Sequence, residues 1–150
     1  MTFEAYAFDT GWLKEQELSD MASLARVLAA IERMRAMRFR VLLDHEGAIL
    51  KEYDKNLTSG TMGRTIFSHI SKFQMAHFVS GSQTSRCSKC LDVVGFDIAD
   101  RPFVGVAQRG RGAYVTHEAK HLERRRVEAI LRCCGVMILG TEDFLESLGV

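Results

Sequence analysis

The sequence predicts an α/β protein: a parallel sheet of at least four strands with helices on both faces. Two observations carry this reading. Short apolar, β-prone runs alternate with longer segments of helical periodicity, in the order β-α-β-α-α-α-β-α-β-α. No tight hairpin signal joins any two strands, so each reaches the next through a helical crossover, which dictates parallel neighbours.

The elements follow in order. Ala5-Tyr6-Ala7-Phe8 is a buried strand running into Asp9. Ser19 or Asp20 is placed to cap the next helix, in which Leu24, Val27, Leu28, Ile31 and Met34 recur at helical spacing. Residues 38–44 form a second strand, closed by Asp44 and a His45-Glu46-Gly47 turn. A helix over Ile49, Leu50, Tyr53 and Leu57 carries Glu52. Ile66, Phe67, Ile70, Phe73 and Phe78 predict one helix up to about Ser80. Residues 81–89, small and polar, read as a mobile loop, and Leu91–Gly95 as extended or irregular. Asp100 opens a helix with Pro102 in its first turn, and the Arg109-Gly-Arg-Gly112 run ends it. A strand over 113–116 leads into a helix over 118–134 capped by Gly135. A strand over 136–139 and a helix over 142–148, with Thr141 as its cap, complete the chain.

Composition narrows the functional classes. The 150 residues suit one domain, 1–150, with no internal boundary. Hydrophobic residues at 47% and charged residues at 26% are ordinary for a globular domain, and one proline argues against a linker-rich chain. A net charge of +1 gives no global pull toward nucleic acid or membrane, so any such attraction is local. No apolar run approaches 18 residues and no export signal opens the chain; the expected location is the cytoplasm, with no membrane partner and reduced cysteines.

Acids fall at element boundaries: Asp9, Asp100 and Glu118, with Glu52 on the helix after the second strand. In an open α/β sheet these positions share the carboxyl edge of the strands, where ligands bind. Converging carboxylates repel, and a hard divalent cation, Mg²⁺ or Mn²⁺, is the usual compensation. Alone, each acid is more readily a cap or a solvated side chain; the set of them together favours a site. Such an ion stabilises an in-line phosphoryl transition state.

Phe8-Asp9-Thr10, Asp100-x-x-Phe-Val-x-Val-Ala, Tyr-Val-Thr116-x-Glu118 and the closing Gly135-Val-Met-Ile-Leu-x-Thr-x-x-Phe-Leu together resemble the PIN (PilT N-terminal-like) domain family. The resemblance spans essentially the whole chain and is tightest over residues 5–10 and 97–148. It implies a three-layer α/β/α sandwich with a central parallel sheet of four or five strands. It also implies a metal-dependent nuclease acting on RNA, toxin-like or RNA-processing, with an antitoxin-like protein or a second copy as partner. Asp9, Asp100 and Glu118 then match metal ligands, Thr116 the hydroxyl that steadies the site, and Glu52 the helix-borne acid. The fourth position is more often Asp, so Glu118 is a methylene longer than the pattern. Asp97, one turn before Asp100, can replace or supplement it. Thr10, Arg109 and Arg111 are candidate substrate contacts. The alternative from another class is a PIN-like module that binds RNA or protein without catalysis.

Rival motifs are weaker. His117-Glu118-Ala119-Lys120-His121 fits the zinc-protease pattern H-E-x-x-H, but His117 follows a strand directly and no third histidine lies downstream. Lys120 and His121 otherwise read as helix surface. Asp9-Thr10-Gly11 matches the aspartic-protease loop, yet that chemistry needs two such aspartates. A phosphoacceptor using Asp9 and Asp44 lacks the paired acids on the first strand. Cys87-x-x-Cys90 with Cys133-Cys134 is a candidate structural zinc set, against plain thiols.

Overall fold

The computed structural model describes residues 2–150. Strands β1 (Ala5–Phe8), β2 (Arg40–Asp44), β3 (Ala76–Val79), β4 (Ala113–Val115) and β5 (Met137–Leu139) form one sheet in the order β3-β2-β1-β4-β5. Every pairing is parallel, with Tyr6 level with Val41, Ala7 with Tyr114, and Tyr114 with Ile138. The helices are α1 (Thr10–Glu15), α2 (Met21–Ala36), α3 (Ala48–Asn56), α4 (Met62–Lys72), α5 (Ser85–Val93), α6 (Arg101–Arg109), α7 (Arg124–Cys134) and α8 (Thr141–Ser147).

Strand alternation sorts the core into two layers. Tyr6 and Phe8 point to one face. There Phe8 stacks on Trp12 of α1 at 4.8 Å between ring centroids, and Phe144 of α8 meets Tyr6, Phe8 and Trp12 edge-on at 5.2, 5.3 and 5.4 Å. On the other face Tyr114, beside Ala7, stacks on Phe103 of α6 at 5.6 Å. All six rings are fully buried, and each contributes about 1.5–3 kcal/mol by leaving water.

The strand order places a switch point at β1. The chain builds outward to β3, then crosses back to β4 on the other side of β1. The segments leaving β1 and β4 therefore part, opening a crevice at their carboxyl ends.

Several element boundaries differ from the sequence reading. α4 stops at Lys72 rather than running to Ser80, and β3 follows as a fifth strand. Its stop is a Schellman motif: Gln74 takes a left-handed φ of 55°, with Gln74 N–H bonded to Ser71 O and Met75 N–H to Ile70 O. α2 ends the same way through Arg38 (φ 60°), where expected, and α6 ends within the expected 109–112 run, with Gly110 at its cap and Arg111 left-handed (φ 54°). Neither the Gln74 stop nor the Arg38 stop carries the glycine that would announce it. Residues 85–93 are helical, not loop, because the Thr84 side chain accepts the Cys87 N–H and caps α5. α7 begins at Arg124, six residues later than expected. Asp20 caps α2, as one of the two expected positions. Gly140 rather than Thr141 occupies the cap of α8, and the Thr141 hydroxyl accepts from Trp12 Nε1 at 2.9 Å instead.

Candidate active site

Asp9 is the first residue past β1, and its N–H still bonds Val115 O on β4 at 2.9 Å. Only 4% of it is exposed. Tyr114 and Thr116 leave β4 two residues apart, so both point to the same side. The Tyr114 hydroxyl donates to Asp9 Oδ1 at 2.9 Å, and the Thr116 hydroxyl donates to Oδ2 at 3.3 Å. Burial, and then the negative charge of Asp100, push the Asp9 carboxyl up to about 6, against the pull of Tyr114, His121 and Thr116.

Glu52 reaches the same crevice from α3. The buried Asp44 carboxylate accepts from Ala48 N at 2.9 Å and Ile49 N at 2.8 Å, which pins the first turn of that helix. The Tyr53 hydroxyl donates to the Phe8 carbonyl and ties α3 to the end of β1. Asp44 thus serves as a structural cap, which removes it as a phosphoacceptor. Glu52, half-buried, has its carboxyl raised by burial and by the Asp100 charge, offset by Thr10 and Lys55. The Thr10 hydroxyl is itself buried without a full hydrogen bond.

Asp100 closes a 3-10 turn, Ile98–Asp100, immediately before α6. Its Oδ2 lies 2.8 Å from Nε2 of a fully buried His121. Asp97 pairs with Lys120, and that hydrogen-bonded ammonium holds the Asp97 carboxyl below the ordinary range. Asp97, Asp100 and His121 each offer one ligand atom, all within 4.8 Å of one another. Among the described residues no lysine or arginine forms an ion pair with Asp9, Glu52 or Asp100. The crevice is therefore a concentration of negative charge, and its donors are mainly hard oxygens, the ligand type that hard divalent cations take.

The structure brings Asp9, Glu52 and Asp100 together, with Thr10 and Thr116 beside them and Asp97 at the rim. It does not bring the other expected contacts there. Glu118 donates its backbone N–H to Thr116 Oγ1 at 3.1 Å. Glu118 lines, with Gly11, Lys14, Glu15 and His117, an open pocket of 360 Å³ on the flank of the crevice. Arg109 and Arg111 are misplaced as substrate contacts. α6 runs antiparallel to the strands, so it starts at the carboxyl edge and carries Arg111 to the opposite edge, where it neighbours Ala5 and Arg40. Arg109 Nε donates instead to Ser82 O at 3.0 Å, in the segment after the outermost strand β3 and not beside Asp9 on β1.

The zinc expectations are also corrected. Residues 118–121 form a turn, not a helix, and the two histidines diverge: His117 faces Glu15 at 3.6 Å while His121 faces Asp100. The cysteines are neither free thiols nor a thiolate set. Cys87 pairs with Cys134 and Cys90 with Cys133, as disulfides joining α5 to α7 across Cα separations of 4.7 and 6.2 Å. Both separations lie in the range a disulfide spans.

Two site residues escaped the sequence reading. Outside the H-E-x-x-H pattern, the sequence puts His121 on the surface of a helix that starts at Glu118, and Tyr114 in a β-prone run with no site role. The position of Tyr114 two residues before Thr116 is the signal that it shares Thr116's side of the strand.

The chain resembles in structure a chain of the VapBC2 complex from Rickettsia felis, known from a crystal structure of that complex bound to a DNA fragment from its promoter. The TM-score is 0.50 at 14% identity, covering 91% of this chain and 98% of the other. No family model matches the chain, and no curated protein matches it. The likeness is one of fold. With the strand order above, it makes this chain an α/β sandwich consistent with a PIN-like domain. No helix is long and apolar enough to cross a membrane among the described residues.

Proposed function

We propose that the chain is a divalent-metal-dependent nuclease, acting on RNA, whose centre is the crevice at the carboxyl ends of β1 and β4. The observation that carries this reading is the buried Asp9 carboxylate. It shares the crevice with Asp100 and Glu52, without a compensating lysine or arginine. Asp9 and Asp100 would hold Mg²⁺ or Mn²⁺, with Asp97 supplementing them. A bound cation supplies Lewis acidity toward a phosphodiester. The chain's own residues do the rest. Tyr114 and Thr116 hold the Asp9 carboxylate in a fixed orientation, and the buried Thr10 hydroxyl lies beside Glu52 and offsets its raised carboxyl. Glu52, held basic by burial, accepts a proton from the attacking water. An antitoxin-like protein fits as a partner, since the structural relative is a VapBC complex. The reading of the chain as a single domain, 1–150, belongs to the same proposal.

The test is cleavage of a mixed RNA pool with Mn²⁺ by wild type and by Asp9→Asn. Wild type should cleave. The variant should fold and lose activity, because it keeps size and hydrogen bonding but loses the charge. Equal activity in the two proteins rules out the proposed centre. A wild type that binds RNA but cleaves nothing would instead make the chain a binding module.

A further inference from the structure

His121 is fully buried beside the crevice, and nothing in the nuclease reading assigns it a role. Its ring has no exposed surface and stacks on Phe96 at 4.2 Å, with planes 15° apart. Tyr114 packs against it at 6.2 Å. Its N–H bonds back to Glu118 O at 3.0 Å, so the turn over 118–121 aims the ring inward. One ring nitrogen, Nε2, meets Asp100 Oδ2; the other, Nδ1, is buried with no partner.

We infer that His121 is a positioning residue for Asp100, donating Nε2–H to Oδ2 so that Oδ1 is presented to the cation. The inference rests on the metal-site reading above and assigns His121 to Asp100 rather than to the ion. Two observations separate those roles. A metal-ligating histidine as a rule donates its second ring N–H to a carboxylate or carbonyl, which fixes the tautomer. Nδ1 of His121 has no such partner, so the proton belongs on Nε2, the atom facing Asp100. Asp100, for its part, needs a holder. It ends a 3-10 turn, its side chain makes no capping hydrogen bond, and His121 is its hydrogen-bond partner. The neighbouring Lys120 does not compete, because it pairs with Asp97. Consecutive residues 120 and 121 thus each hold one of two acids three residues apart.

The experiment is Mn²⁺ titration of the full chain, read by melting temperature, for wild type, His121→Phe and His121→Gln. His121→Phe keeps the stack on Phe96 and removes the unpartnered nitrogen. Its metal-free melting temperature should stay close to wild type, while the Mn²⁺ concentration at half-effect rises about 10-fold or more. His121→Gln restores an N–H at the reach of Nε2 and should recover most of the affinity. A His121→Phe protein that binds Mn²⁺ like wild type overturns the inference. A folded His121→Gln as weak as His121→Phe also overturns it, since a donor would then not suffice. If His121→Phe does not fold, His121→Gln decides alone: near wild-type affinity supports the role, and loss of affinity ends it. A wild type with no Mn²⁺ response overturns the metal centre itself and this inference with it, an outcome distinct from an unchanged His121→Phe.

Discussion

Tyr114 donates its hydroxyl to Asp9 Oδ1 at 2.9 Å, strand to neighbouring strand, with both residues buried. The contact joins the core to the chemistry, since the same ring stacks on Phe103. Burial, and then the charges of Asp9 and Asp100, hold the Tyr114 hydroxyl well above its usual range, so it stays a donor at every ordinary pH. Tyr114→Phe should keep the stack and lose the donor. Hydrogen bonds to charged groups contribute about 1.5–3 kcal/mol, and a loss of that size is expected above pH 7, where Asp9 is ionised. Below pH 5, with Asp9 protonated, the loss should shrink. Urea denaturation of both proteins at the two pH values measures it, and an equal loss at both would refute the charge-assisted contact.

Asp9 itself makes stability depend on pH. Its carboxyl lies at about 6 in the folded chain, against roughly 3.9 unfolded. A raised carboxyl favours the protonated form in the folded state. Its stabilisation is therefore complete below about pH 4 and is lost as pH rises through 6. Without metal, raising the pH from 4 to 7 should cost about 3 kcal/mol from Asp9 alone. Glu52, also raised by burial, adds in the same direction. Asp9→Asn should flatten this slope and melt higher than wild type at pH 7. Mn²⁺ should reverse the wild-type trend by binding the ionised form, most strongly above pH 6. A metal-free wild type whose stability rises from pH 5 to 7 in parallel with Asp9→Asn would count against a raised Asp9.

The paired cysteines predict a redox dependence. Cys87–Cys134 and Cys90–Cys133 tie α5 to α7 across sequence separations of 47 and 43 residues. Removing native disulfides that close loops of this kind costs about 2–4 kcal/mol. Treatment with a phosphine reductant should lower the melting temperature. Peptide mapping of unreduced protein should recover the 87–134 and 90–133 linkages. Four alkylatable thiols in unreduced protein would show the pairs unformed.

The strand sequence was legible where local chemistry and fold agree. β1, β2, β4 and β5 are short apolar runs, and Asp9 and Asp100 stand at boundaries that periodicity marks. β3 was not legible, because Phe73 and Phe78 continue the apolar spacing of α4 and the stop between them is a glutamine in a left-handed conformation. His121 was hidden for a different reason: its role depends on a turn that only the packing of Phe96 and Asp100 makes favourable. Adjacent carboxylates can be found in a sequence, but the groups that hold them come from distant segments and need the fold.

The last prediction concerns Gly105, in the middle of α6. A Cβ there would lie 1.7 Å from the Gly81 carbonyl oxygen, a backbone atom that cannot move aside as a side chain would. α6 approaches the chain after β3 this closely because Gly105 carries no side chain, and Gln83 secures the approach by donating to Gly81 O at 3.0 Å and Arg101 O at 2.8 Å. Alanine is ordinarily the better helix former, so intrinsic propensity favours Gly105→Ala and packing opposes it. Packing wins by a wide margin: displacing a whole helix costs about 3 kcal/mol or more, against a propensity gain of about 1 kcal/mol. Because Asp100 sits at the start of α6, any displacement that relieves the clash also moves it relative to Asp9. Gly105→Ala should therefore melt well below wild type and lose Mn²⁺ stabilisation out of proportion to its unfolding. A variant as stable as wild type with the same Mn²⁺ response would show that α6 does not pack on the chain after β3 as described.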